Sequence, residues 1–101
     1  MKLIRILASA RADLEDGYRF YEKQAAEIGR YFLDSLYSDV ESLQVSAGVH
    51  VRQFGRYYCL HSKRFPFAVY YRIVNDEIRI YAILDCRRRP ERIRERLKQI
   101  D

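Results

Sequence analysis

Apolar positions along the chain change period near its midpoint. Residues 2–7, KLIRIL, form a short apolar-rich strand candidate ending at Ala8-Ser9, where Ser9 is placed to cap a following helix. Leu14, Tyr18, Tyr21, Ala25 and Ile28 then recur at intervals of three and four, which puts them on one helical face. Gly29 interrupts that series, and Phe32, Leu36, Val40 and Leu43 restart it at the same spacing. The pattern predicts two helices joined by a tight turn at Gly29. After the connection QVSAGVH the period becomes alternating. Segments 49–54 and 57–61, separated by Gly55-Arg56, read as two short strands or one bulged strand. Phe67, Val69, Tyr71 and Ile73 then alternate with Ala68, Tyr70 and Arg72. Ile78, Ile80, Ala82 and Leu84 alternate with Arg79, Tyr81, Ile83 and Asp85. Asn75-Asp76 suits the hairpin turn between them, because both residues tolerate positive φ. Pro66 opens this hairpin, and bulk on both faces of its strands predicts a central place in the sheet. Pro90 begins a last amphipathic helix with Ile93, Leu97 and Ile100 on one stripe, free to pack on the sheet, fray or meet a partner. The expected class is α+β: an N-terminal strand and αα-hairpin packed on a mostly antiparallel sheet, with a short C-terminal helix.

At 101 residues the chain has room for one core, and residues 1–101 are expected to form a single domain. The first fifteen residues do not resemble a signal peptide, because Arg5 breaks the apolar run and Asp13 and Glu15 follow it. No stretch approaches the roughly 18 apolar residues of a membrane span, so a cytoplasmic protein with no membrane partner is expected. Charge is divided unevenly. Residues 1–50 hold six Lys/Arg against eight Asp/Glu, whereas residues 51–101 hold thirteen against six. A balance of −2 thus becomes +7, which suits an acidic partner such as nucleic acid, a ribosome or an acidic protein segment. Cys59 and Cys86 lack ligand spacing, so no metal or cofactor is indicated, and both are expected as buried thiols. A disulfide would need their strands to pair.

Three stretches resemble the RelE/ParE superfamily of type II toxin–antitoxin toxins: ADLEDGYRFYEKQAAEIGRYF, RFPFAVYYRI and YAILDCRRRP. The resemblance implies a growth-arresting toxin silenced by a cognate antitoxin. One branch of that superfamily cleaves mRNA on the ribosome, and the ParE-like branch inhibits DNA gyrase. The shared scaffold does not separate them.

The residues lean toward the ParE-like branch. RNA cleavage needs a base or orienting group, charge stabilisation and an acid. Tyr58 and Leu60 fall where ribosome-dependent members carry lysines, Phe67 where they carry arginine, and Asp85 where many carry His. Should the chain be a nuclease, Arg52, Arg64, Arg88 and Tyr58 are the catalytic candidates, with Lys63 and Arg87–Arg89 lining the same groove and Tyr57 or Tyr58 stacking on a base. Lys63, Arg64, Arg87, Arg88 and Arg89 are the candidates for target or antitoxin binding, because arginine pairs bidentately with carboxylate or phosphate. At least two of Arg87–Arg89 should be exposed. His50 and His61 stand alone and read as structural or surface residues, and Asp13, Glu15 and Asp16 as favourable charge in a helix's first turns. The reading is a gyrase-directed toxin first, a ribosome-dependent endoribonuclease second, and a non-toxic binding module or corepressor third.

Overall fold

The computed structural model describes residues 2–100. Its elements are β1 (Leu3–Ile6), α1 (Ala8–Gln24), α2 (Ile28–Glu41), α3 (Leu43–Ser46), β2 (Arg52–Gln53), β3 (Tyr57–His61), β4 (Phe67–Val74), β5 (Glu77–Asp85) and α4 (Pro90–Ile100). Sheet order is β1-β5-β4-β3-β2; β1 runs parallel to β5 and every other pair is antiparallel. The class expected from the pattern is the one observed, with the β4–β5 hairpin at the centre. Asn75 and Asp76 both take positive φ, 51° and 64°, as a two-residue hairpin turn requires.

The helical hairpin packs on one face of the sheet and α4 on the other. Leu14, Phe32, Leu36 and Val40 meet Phe67, Val69 and Tyr71 of β4. Ile93 and Leu97 of α4 meet Ala68 and Tyr70 on the opposite face. The terminal helix therefore covers its own sheet, and Tyr57 ties it there by donating a hydrogen bond to the Leu97 carbonyl at 3.3 Å.

Three local details depart from the expected pattern. The turn between α1 and α2 lies at residues 25–27, where Glu27 is left-handed, not at Gly29. Glu22 organises it by accepting hydrogen bonds from the Glu27 and Gly29 amides at 3.0 and 2.9 Å, which serves donors at the start of α2. Gly29 instead permits close helix packing, because a Cβ there would sit 2.8 Å from the Tyr18 ring. Ser9 lies inside α1 and does not cap it; its hydroxyl donates to the Tyr81 carbonyl at 2.7 Å. The alternation along β5 also breaks. Tyr70 pairs with Ala82 but Tyr71 with Ile80, so Tyr81 is the extra residue of a bulge. Beyond it the faces exchange: Ile78, Ile80 and Ile83 face the hairpin, while Tyr81, Ala82 and Leu84 face α4.

Candidate functional site

The basic residues singled out in the sequence gather at one end of the central hairpin. Phe67 pairs with Asp85, and the Cys86 amide donates to the Pro66 carbonyl at 2.9 Å. This joins the β3–β4 loop to the β5–α4 turn. The loop is held from below by Ser62, whose hydroxyl donates to Asp39 Oδ2 at 2.6 Å and whose amide donates to the Phe67 carbonyl. Phe65 anchors it among the rings of Tyr21, Phe32 and Tyr31, with centroids 4.9, 5.2 and 5.4 Å away. Lys63 and Arg64 are left exposed at the tip.

Across the join, Asp85 shapes the turn. Its carboxylate accepts the Arg87 amide and Nε at 2.9 Å each and Nη2 at 2.6 Å. This fork holds the Asp85 carboxyl below its ordinary pKa and raises that of Arg87. Arg87, Arg88 and Arg89 are all exposed, but the Arg87 fork is already occupied. Arg88 and Arg89 carry no ion pair with a described residue, and neither do Lys63 and Arg64. These four form a basic rim.

Beside the rim a cleft of about 260 Å³ opens between α1 and β5, with Phe20, Asp16 and Arg88 on its sides and Gly17 and Phe67 on its floor. Phe20 is 52% exposed although it is apolar. Asp13, at the back of the cleft, is not merely first-turn charge. It is buried, accepts the Ile83 amide at 3.0 Å, and accepts Nη2 of Arg96 at 2.7 Å. Beyond Ile80, β5 has no β1 neighbour, so Ser9 and Asp13 of α1 satisfy the Tyr81 carbonyl and Ile83 amide that the missing strand would have paired. Burial pushes the Asp13 pKa up, against the opposing pull of the Ile83 amide and Arg96.

The four candidates for a nuclease do not converge. Arg52 donates to the Tyr58 hydroxyl at 3.1 Å and lies 5.0 Å from its ring centre; Tyr58 in turn stacks on Tyr71 at 5.2 Å. Arg64 and Arg88 are at the other end of β4. Phe67 and Tyr71 lie four residue steps apart along β4, a span of roughly 13 Å. Tyr57 is buried under α4, which removes it as a stacking platform. His50 is partly buried and bonds through Nδ1 to the Tyr71 hydroxyl, which also accepts the Gly48 amide at 2.9 Å; burial lowers its pKa. His61 is exposed, its Nε2 3.8 Å from the Cys59 thiol.

Only one cysteine matches its expected burial. Cys59 is buried and Cys86 is exposed, because Cys86 lies in the turn past β5 and not in a strand. Both are free, and β4 intervenes between their elements, a gap of roughly 10 Å that exceeds disulfide reach. Among the described residues no group of three or more His, Cys, Asp or Glu could hold a metal ion, and no helix is long and apolar enough to cross a membrane.

A family model described as the ParE toxin of the type II toxin–antitoxin system parDE matches residues 4–90. The chain belongs to the ParE toxin family. The fold agrees: a solved structure described as the chromosomal ParDE toxin–antitoxin system from P. aeruginosa is similar at TM-score 0.76 and 24% identity, over 82% of this chain and 94% of that one. No curated protein matches the sequence. Membership makes the chain a type II toxin with an antitoxin as partner. The ParE match contains the whole basic rim and stops at Pro90, so most of α4 lies beyond it.

Proposed function

We propose that this ParE-family toxin arrests growth by binding DNA gyrase through the rim of Lys63, Arg64, Arg88 and Arg89, without cleaving RNA, and that its antitoxin neutralises it by covering a surface gyrase needs. The observation carrying this reading is the split of the nuclease candidates. A phosphodiester in flight needs its cations within a few ångströms of one another, and Arg52 with Tyr58 stands a strand's length from Arg64 with Arg88. Asp85, at the end of β5, lines the same cleft as Arg88, an acidic side chain beside the place a phosphate would take, and it already occupies the Arg87 guanidinium.

A binding surface needs no such convergence. Exposed arginines beside a half-exposed Phe20 and an anchored aromatic loop are the composition of a protein-binding patch, with charge for steering and an aromatic for adhesion. The test is induction in cells lacking the antitoxin, with plasmid topology and cleavage of ribosome-bound mRNA followed together. The reading expects relaxed plasmid and intact mRNA. Cut mRNA with normal supercoiling would replace it with the nuclease, and undisturbed growth would replace it with a binding module.

A further inference from the structure

The connection that follows α3 is a strap across the end of the sheet. Residues 47–51 read Ala-Gly-Val-His-Val, and Gly48 takes φ 96°, a conformation that favours glycine. Val49 and Val51 are exposed, as is Val45 in α3 before them, so side-chain burial does little to hold the strap beyond the small contribution of Ala47. Hydrogen bonds do more. The Cys59 amide donates to the Val51 carbonyl at 3.1 Å. Two further ties converge on one phenol: the Gly48 amide donates to the Tyr71 hydroxyl at 2.9 Å, and the same hydroxyl bonds His50 Nδ1.

Those two bonds fix the state of the imidazole. Tyr71 is fully buried, and burial raises its pKa, so the phenol keeps its proton. A backbone amide can only donate, so the Gly48 bond makes the phenol oxygen an acceptor and leaves the phenol proton for Nδ1. Nδ1 is therefore the bare nitrogen of a neutral imidazole. A proton placed there would turn the acceptor into a donor and leave a buried hydroxyl proton with nowhere to go, which is costly. The surroundings supply no compensating anion. Tyr71 of β4 meets the imidazole edge to face at 5.6 Å and stacks on Tyr58 of β3, whose hydroxyl takes the Arg52 guanidinium of β2. Residues 43–49 carry no ionisable side chain, and among the described residues no carboxylate pairs with His50.

We propose that Gly48, His50 and Tyr71 form an acid-released clasp: protonation of His50 frees residues 47–51 from the sheet while the helical hairpin and β3–β5 stay folded. The rim lies at the other end of β4, so the clasp does not depend on what the rim binds. Burial lowers the His50 pKa in the closed clasp, and an opened one titrates near the ordinary 6.5. The stabilisation is therefore fully present above pH 6.5 and is lost as pH falls from there through the lowered value.

The test is amide exchange of the full chain by NMR from about pH 7.5 to about pH 5, expressed as protection factors so that the intrinsic pH dependence of exchange cancels. The His50 ring is followed in a His61→Gln background, where it is the one imidazole. The expected result is a His50 titration below 6.5, with protection of the Gly48 amide falling several-fold in step and the β4 and β5 amides keeping theirs. His50→Asn places an oxygen acceptor where Nδ1 stands and does not titrate, so Gly48 should stay protected throughout. Tyr71→Phe keeps the buried ring, with the fold confirmed by circular dichroism, and should leave Gly48 fast-exchanging at both ends of the range. The proposal fails if His50 titrates at or above 6.5, if Gly48 is unprotected already at neutral pH, if its protection stays constant through the His50 titration, or if the fall persists in His50→Asn. Equal loss at the β4 and β5 amides would show the whole fold loosening, and the clasp would be overturned by that too.

Discussion

Asp13 of α1 and Arg96 of α4 meet at 2.7 Å across the edge of the sheet, and through them helices on opposite faces are joined. The same carboxylate accepts the Ile83 amide, so one side chain closes the open edge of β5 and fixes α4. Asp13→Ala would strand a buried amide and a guanidinium that is three-quarters covered. The expected loss is about 3 kcal/mol, at the lower end for a broken buried pair because Arg96 retains some solvent. Denaturant unfolding checks it, and a loss below about 1 kcal/mol contradicts the role given to Asp13.

The Asp85–Arg87 fork makes a signed prediction about pH. Arg87 holds the Asp85 carboxyl below its ordinary value of 3.8, so the folded chain binds the proton less readily than the unfolded one. The resulting stabilisation is fully present above pH 3.8 and is lost as pH falls through the lowered folded value. Stability curves of the parent and Asp85→Asn should therefore be separated at neutral pH, with the parent higher, and should converge in strong acid. A constant offset at all pH values would show that ionisation of Asp85 is not the source.

Gly17 sits where α1 passes closest to Phe32 of α2. A Cβ there would be 2.5 Å from two atoms of the buried ring, so Gly17→Ala should cost about 1–3 kcal/mol despite alanine's better helix propensity. Ala12→Gly, on the exposed side of the same helix, should cost up to about 1 kcal/mol through propensity alone. Thermal or chemical denaturation ranks the pair. Stabilisation by Gly17→Ala would mean that the α1–α2 crossing is looser than the structure has it.

The separation of Arg52 and Tyr58 from the rim predicts different phenotypes. Tyr58→Phe removes one hydrogen bond and keeps the stack on Tyr71, so growth arrest should be unchanged. Arg64→Ala and Arg88→Ala, both exposed, should reduce toxicity about tenfold or more while leaving the unfolding curve in place. Toxicity titrated by graded induction distinguishes the two groups. Equal loss in Tyr58→Phe and Arg88→Ala would unite the ends into one active surface.

Elements set by local chemistry were legible in the sequence. The Asn75-Asp76 turn, the α2 stripe and the Ile93–Leu97 face each follow from residue spacing, whereas the α1 face is carried by Ala10, Asp13, Leu14 and Gly17, with Tyr21 only partly buried and Ala25 exposed past the helix end. The exchange of faces at Tyr81 was not, since a bulge leaves an apolar run apolar and Ile83 looks like an outward residue until its partner on β4 is known. Gly29 marked helix proximity, which from one strand of sequence looks the same as a turn. Asp13 looked like surface charge because its acceptor role depends on Ile83 and Arg96, 70 and 83 residues away. Of the candidate site, the exposure of Lys63, Arg64, Arg88 and Arg89 was readable from the loop and turn they occupy. The capture of Arg87 was not, although an Asp two residues before an Arg at a strand end is the signal that could have shown it.

The most direct test of the proposed function is a supercoiling assay with purified gyrase, ATP and relaxed plasmid. The folded parent protein should block supercoiling in a dose-dependent manner, Lys63→Gln/Arg64→Gln/Arg88→Gln/Arg89→Gln should be at least tenfold weaker, and Arg52→Gln should match the parent. Undiminished supercoiling at a large molar excess of folded protein, or full inhibition by the quadruple variant, would contradict the account.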